Sequence, residues 1–534
     1  MKKINQYLIT ATVALFAFSS CEKKLEDAYP NPNSFSRVPV ETLLPPVIYN
    51  MALDPQTDFR FLGGYIQNWT NISALNQWDR MGYQAGSDNG GAIWRGHYYD
   101  LGQNLVRMIE WGTEEKKWDY VGVAKAVQAW SWLLTTDYHG EIILKEAFNT
   151  SLLTFKYDTQ EEVYTYVRQL CREAIDNLSR TDDAVSPANL QKGDAFMNNG
   201  DVEKWKKFVY GVMARSYNHL SNKSIYKPDS VIYYCDKAMQ TTADDVTVKF
   251  SNAGKNNEAN FFGPFRGNMA AYRQTEFTVN LLTGANSAFP GVDDPRKWYY
   301  LQLDANNTTF RGIQIAKGEA SITTNSRPRN FWGNTSASSI PPNDFNSKFL
   351  FRNNSEFPVM TATEIHFMKA EAALRKGDKA LALAAYKRGI EESFSMLLNR
   401  FNYNVPPANQ LNSGSAATFM SDVKVVPTNL DSMTLSRIML QKYIALWGYG
   451  MHETWTDLRR FHYIDPDPGV PGQQVYRGFT PPTGSDLFPD NSTKFVYRVR
   501  PRYNSEYIWN VAELDRIGAR TADYHTVRCW FSEP

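Results

Sequence analysis

The chain has 534 residues, of which 43% are hydrophobic and 21% charged, and its formal net charge is +1. This is globular composition with material for a large core, and so small a charge supplies no global field to gather nucleic acid or an acidic surface. After the first 21 residues no apolar run approaches the roughly 20 residues of a transmembrane helix, which excludes a body built of membrane-spanning helices.

The first element is an export signal. Lys2 and Lys3 form a positive start, Tyr7 to Phe18 is apolar, and Ser19 and Ser20 precede Cys21. The apolar stretch is too short to span a bilayer and right for a signal peptide over residues 1–20. The small pair before a cysteine resembles a bacterial lipobox, although Phe18 stands where an aliphatic residue is usual. It makes Cys21 the expected site of lipidation. Residues 21–36 are charged and then rich in Pro, Asn and Ser, and are predicted to be a tether. Residues 37–534 are read as one domain.

Helical periodicity then recurs in pairs. A helix from Val38 to Met51 is interrupted or started by Pro45 and Pro46. Near 117–178, Val123, Val127, Trp130 and Leu134 line one helix, and Val163, Val167, Leu170, Ala174 and Leu178 line the next. Thr159 and Glu162 give the second of these a capping box. Further pairs are predicted near 200–240, with Trp205, Phe208 and Val212 inward, near 362–396 and near 433–462. In the third pair Gly377 and Asp378 make the turn, and Ala382 and Tyr386 carry the Ala-x3-Tyr of a tetratricopeptide repeat. Four helical hairpins, spread through the chain rather than stacked in sequence, predict a mostly α scaffold with large insertions.

The insertions near 56–93, 250–348, 400–430 and 464–505 lack helical periodicity and are rich in Gly, Asn, Ser and aromatic residues. Aromatic residues make up 14% of the chain, with 14 Trp, 30 Tyr and 30 Phe. That content argues against disorder, and long irregular loops are commonly functional. Flat amphipathic rings stack on sugar faces, while amides and guanidinium groups pair with hydroxyls. The ligand-binding candidates are therefore Tyr65, Trp69, Trp78 and Tyr83 in the first insertion, near Asn71, Asn76, Arg80 and Asn89. In the second they are Trp298 and Trp332, near Arg311, Arg327 and Asn330. Trp94, Trp130 and Trp205 lie in helical patterns and read as core.

Signals of catalysis are poor. His452 and Glu453 open like a zinc-protease helix, but Thr456 stands where the second histidine must be. The glycine-rich stretch 86–91 lacks the lysine of a phosphate loop, and no G-x-S-x-G elbow occurs. Glu364, Glu371, Glu453 and Asp457 are read as helix caps or partners of Arg375, Arg459 and Arg460 across neighbouring turns. Neither a metal site nor a cofactor is expected. Cys171, Cys235 and Cys529 are far apart, and are read as buried thiols or at most one disulfide.

Several stretches, in a common order, resemble the SusD/RagB family of outer-membrane nutrient-binding lipoproteins of Bacteroidetes. They include the helix ending in Tyr138-x-Gly140, with Ile142 and Ile143 where the family usually has proline, and Gly200-Asp201 followed by Lys204-Trp205. They continue through Asp294-Pro295-Arg296, residues 361–378, Glu453-x-Trp455-x-Asp457-x-Arg459-Arg460 and Arg502-Tyr503-Asn504. The resemblance implies four tetratricopeptide-like hairpins packed against a loop-rich irregular half. It implies a non-catalytic lipoprotein on the cell surface, anchored in the outer membrane, that captures an oligosaccharide or, in some members, an oligopeptide. It also implies a SusC-like TonB-dependent transporter as partner, over which the lipoprotein sits as a hinged lid. Glu22, Glu26 and Asp27 are compatible with surface export in such bacteria.

Overall fold

Pro45 and Pro46 occupy the first turn of the first long helix, α1 (Leu44–Tyr65), where their missing N–H groups would have had no partner in any case. The helix carries Pro55 in its interior and runs on to Tyr65, so residues 56–65, read from sequence as the start of an irregular insertion, are helical. Their polar letters disguise a buried face. Asp58 accepts from Ile93 N at 3.0 Å and Gln56 donates to Asn260 Oδ1 at 2.7 Å, so polar side chains point inward with partners. The computed structural model describes residues 37–251, 259–335 and 340–534, and the export signal, Cys21 and the whole tether lie outside them.

Nine further helices build the scaffold: α2 (Gly102–Glu114), α3 (Trp118–His139), α4 (Gln160–Leu178), α5 (Val202–Asn218), α6 (Pro228–Lys237), α7 (Ala362–Lys376), α8 (Lys379–Arg400), α9 (Leu435–Ala445) and α10 (Met451–Arg460). Their starts are the ones the residues dictate. Thr159 and Glu162 form the reciprocal capping box of α4. Asp201 caps α5 through Glu203 N and Lys204 N at 2.9 and 3.2 Å, and Gly377, at φ +91°, turns the chain between α7 and α8.

Helices α3 and α4, α5 and α6, and α7 and α8 pack as antiparallel neighbours. The pairs also stack on one another in chain order, α4 on α5, α6 on α7 and α7 on α9. The insertions therefore leave the stack continuous. The fourth pair is looser than its sequence suggests, because α9 lies mainly against α7 while α10 packs on α1 and α3.

Two short antiparallel ribbons tie the irregular half together. Strand β1 (Trp69–Asn71) pairs with β3 (Tyr272–Gln274), and β2 (Val246–Val248) pairs with β4 (Phe357–Met360). The first ribbon joins the first and second insertions. Much of the aromatic excess is packing: Trp69 is surrounded by Phe262, Phe331, Phe351 and Trp447, with ring centroids 5.8–6.4 Å apart. Segments without a periodic apolar face gain their buried area from a few large rings instead.

Where the helices meet, charged side chains are buried in pairs. Arg215 holds Glu364 at 2.5 and 2.6 Å, Lys442 reaches Glu453 and Asp457 at 3.0 and 2.8 Å, and His219 lies 3.0 Å from both Glu453 and Asp137. The four carboxylates singled out in the sequence are thus paired mainly across helices rather than along one. Arg459 departs further, since it donates to the Asp137 and Tyr497 carbonyls and lies over the Trp455 ring at 3.7 Å. Cys171, Cys235 and Cys529 are free and buried, which settles the disulfide alternative against a bridge among them. Burial pushes the Cys171 thiol up to about 12. Among the described residues no group of His, Cys, Asp and Glu could hold a metal ion, and no helix is long and apolar enough to cross a membrane.

Candidate functional site

Two segments of π-helix both line one aromatic recess. The first, Gly96–Leu101, leads into α2, and the second is Tyr503–Tyr507. Such wide turns are rare and concentrate at functional sites. The first is made possible by glycine at both ends, since a Cβ on Gly96 would strike the Asp54 carboxylate and one on Gly102 would strike the Phe148 ring.

Between these turns lies a recess of about 540 Å³, walled by Trp94, Tyr98, Phe148 and Phe155, with Arg95, Asn149 and Glu506 as polar groups. Tyr99 stands at its edge, 71% exposed. Tyr98 is fixed by donation to the Ile143 carbonyl at 2.7 Å. Glu506 accepts from Tyr157 Oη at 2.9 Å and Asn510 Nδ2 at 3.0 Å. Burial raises its pKa, while the bonds from Asn510, Tyr157 and Ser505 hold it down. His97 beneath is kept neutral, its pKa lowered by burial to about 3, and pairs with Ser131 Oγ at 2.7 Å.

A second recess, of about 200 Å³, adjoins the first through Arg502, which lines both. Its walls are Trp78, Tyr83, Tyr503 and Tyr507, with Arg500 and the loop 84–91. The Asp88 carboxylate ties that loop to the second π segment, accepting from Arg502 Nη2 at 2.5 Å and from Asn504 N and Nδ2 at 2.8 Å. Gln84 and Asn89 are exposed on the rim, where Asn89 Nδ2 donates to Gln84 Oε1 at 2.5 Å, and Arg500 lies over the Tyr83 ring at 4.4 Å. Rings, amides and three guanidinium groups, of Arg95, Arg500 and Arg502, thus share one continuous depression.

The six aromatic candidates are divided by the fold. Trp78 and Tyr83 line the second recess, Trp78 as a nearly buried floor stacked on Phe61 and Tyr83 half-buried with its hydroxyl 2.9 Å from Asp490. Tyr65, Trp69 and Trp332 are buried. Tyr65 donates to the Gly82 carbonyl at 2.5 Å, Trp69 centres the aromatic cluster, and Trp332 packs edge-on to Phe351. A ring enclosed on all sides presents no face to a ligand. Trp298 is half-buried, edge-on to Phe310, and lines neither recess. Tyr98, Tyr99, Phe148, Phe155, Tyr503 and Tyr507 line the recesses but lie outside the six candidates that the sequence offers. A doubled Tyr98-Tyr99 in a polar stretch and the Arg502-Tyr503-Asn504 run were the available signals, but only the fold brings them together.

The profile of a family described as starch-binding and associating with the outer membrane, the SusD-like family, matches residues 32–473. The chain belongs to the SusD-like family. Its fold is correspondingly that of solved SusD-like proteins. A SusD/RagB family protein of Bacteroides thetaiotaomicron is 23% identical, with a TM-score of 0.67 over 93% of this chain and 99% of that one. A chitin-binding SusD homologue of Flavobacterium johnsoniae is 17% identical, with a TM-score of 0.67 over 92% and 98%. A SusD homologue of Parabacteroides distasonis is 17% identical, with a TM-score of 0.65 over 92% and 97%. No curated protein matches the chain. The family is described as starch-binding and as associating with the outer membrane, and this SusD-like chain is a binding protein rather than an enzyme.

Proposed function

We propose that this SusD-like chain is a glycan-binding lipoprotein, held at the cell surface by a lipid on Cys21, that captures an oligosaccharide and passes it to a TonB-dependent outer-membrane transporter. The observation that carries this reading is the double recess joined at Arg502. It offers rings for sugar C–H faces and amide and guanidinium donors for paired hydroxyls, in a volume suited to a few sugar units. Tyr99, Tyr98 and Tyr83 are the stacking rings, and Arg502, held by Asp88, is the donor shared by both halves. Because Asp88 and the two π turns hold these groups before any ligand arrives, little ordering has to accompany binding. A neighbour of the same fold that is named as chitin-binding supports a glycan as the ligand class.

The mechanism is capture and release without bond breaking. The stacked hairpins give a broad rigid surface for a partner, and the tether joins the body to its lipid. Titration calorimetry of the mature protein against a panel of oligosaccharides and oligopeptides tests the ligand. Saturable binding of a glycan that is weakened in Arg502→Ala is expected, and binding of peptides alone overturns the reading. Co-purification with a barrel transporter from the native membrane tests the partner.

A further inference from the structure

Away from the double recess, the N-terminal end of α9 opens on a small polar cavity of about 260 Å³. Thr434, Ser436 and Arg437 reach it from the first turn of the helix, and Gly469 and Arg477 from the loop that follows α10. The 11-residue helix directs the positive end of its dipole there. Thr434 accepts from Arg437 N at 3.4 Å and the buried Asp467 accepts from Ser436 N at 2.7 Å, so the helix end by itself is satisfied.

The side chains are not. Among the described residues neither Arg437 nor Arg477 has a carboxylate as ion-pair partner. Arg437 donates Nε to the Ser432 carbonyl at 3.1 Å and Nη1 to the carbonyls of Lys424 and Val425, leaving Nη2 over. Arg477 makes a single hydrogen bond, from Nη1 to the Ser287 carbonyl at 3.2 Å. Its Nε is buried without a partner, so the whole Nε/Nη2 edge, the fork that grips an oxyanion with two parallel bonds, is unused. Ser436 is 2% exposed and its Oγ is buried with no partner either.

The acids nearby are already engaged. Asp467 also accepts from Gly469 N at 2.9 Å, and the exposed Asp431 is held by Lys379 at 2.7 Å. Two guanidinium groups and Lys379 against Asp431 and Asp467 leave one positive charge in excess. Burial lowers the pKa of Arg477, Asp467 restores part of it, and Arg437 lowers it again. An unmade hydrogen bond at a buried donor costs about 1–3 kcal/mol, so a cavity with this many is built to be filled. Its volume lies below the roughly 300–1,000 Å³ of drug-sized ligand sites, which suits a small anion or one charged sugar ring.

We propose that this cavity binds an oxyanion, a sulfate or a carboxylate group, on the Nε/Nη2 edge of Arg477 with Ser436 Oγ and Arg437 Nη2 as further donors. The site is independent of glycan capture at the double recess and stands whether or not that reading does.

The test is calorimetric titration of the full mature chain with sodium sulfate, chloride being exchanged to hold ionic strength constant. Parallel arms use galacturonate and galactose 6-sulfate, with galactose as the uncharged control. Saturable one-to-one binding of at least one anion is expected, with none for galactose. Arg477→Gln should weaken it about tenfold or more and Ser436→Ala about threefold. Arg477→Lys, which keeps the charge but loses the fork, should weaken it nearly as much as Arg477→Gln, and its unchanged melting temperature checks that folding is intact. A charged sugar that outcompetes sulfate marks a sugar-borne group as the ligand, and equal affinity marks the free ion. Absence of saturable binding in all three anion arms, equal binding of galactose, or binding unaltered in both Arg477 variants overturns the proposal.

Discussion

Arg460 and Glu371 meet side by side in complete burial, Nη1 to Oε1 at 2.7 Å and Nη2 to Oε2 at 2.8 Å, and so fasten α10 to α7. Asp457, one turn before Arg460, takes a further bond at 2.5 Å. This paired geometry is the condition under which a buried ion pair repays the loss of hydration.

Removing one partner should therefore be costly. Glu371→Gln is expected to lose about 3–5 kcal/mol in urea unfolding at pH 7. Burial alone would raise the Glu371 carboxyl, but Arg460 and Arg375 outweigh it and hold it well below its ordinary value of 4.5. Its contribution is present above pH 4.5 and lost as pH falls toward the folded value. The gap between the two proteins should accordingly narrow in melts at pH 3.5, and a gap independent of pH would count against the pair.

His219 carries the opposite pH dependence. Burial alone would lower its pKa, but Glu453 and then Asp137 raise it from 6.5 to about 9. Because the folded value is the higher one, the protonated ring stabilises the fold fully below pH 6.5, and this is lost as pH rises through about 9. Differential scanning calorimetry from pH 6 to 10 should show a falling melting temperature. His219→Gln should flatten that slope, the difference at pH 6 being on the order of 3 kcal/mol.

Two rings of similar character should behave differently. Tyr99→Ala, at 71% exposure, is expected to leave the melting temperature unchanged and to weaken glycan binding about tenfold. Trp69→Ala, at 0% exposure inside its aromatic cluster, should cost about 3–5 kcal/mol of stability. Calorimetric titration and thermal melts of both variants check the pair together. A Tyr99 variant that binds as the parent does removes the ring from the site.

Cys21→Ala should leave folding and ligand affinity intact while the protein disappears from the outer-membrane fraction and from surface labelling. Each buried lipid CH₂ contributes about 0.8 kcal/mol, and several chains anchor far better than one. Fractionation with immunoblotting reads the outcome. Retention at the surface without Cys21 sinks the lipid-anchor reading.

The helical scaffold was legible because its signals are local. The apolar stripe of Val163, Val167 and Leu170, the capping box of Thr159 and Glu162 and the turn at Gly377 each lie within a few residues, and helix formation answers to neighbours three and four apart. The end of α1 was hidden for the same reason, since Gln56 and Asp58 look exposed until Asn260 and Ile93 arrive from elsewhere in the chain. Ring count and ring type were visible in composition, but not which rings are free. Trp69 and Tyr99 differ only in what distant segments pack against them, and burial depends on contacts the one-dimensional order does not contain. Family order and scaffold were therefore determined by the sequence alone. The double recess at Arg502, the partners of Glu371 and the unused edge of Arg477 were decided by tertiary structure, because each rests on residues that meet in space from separate parts of the chain.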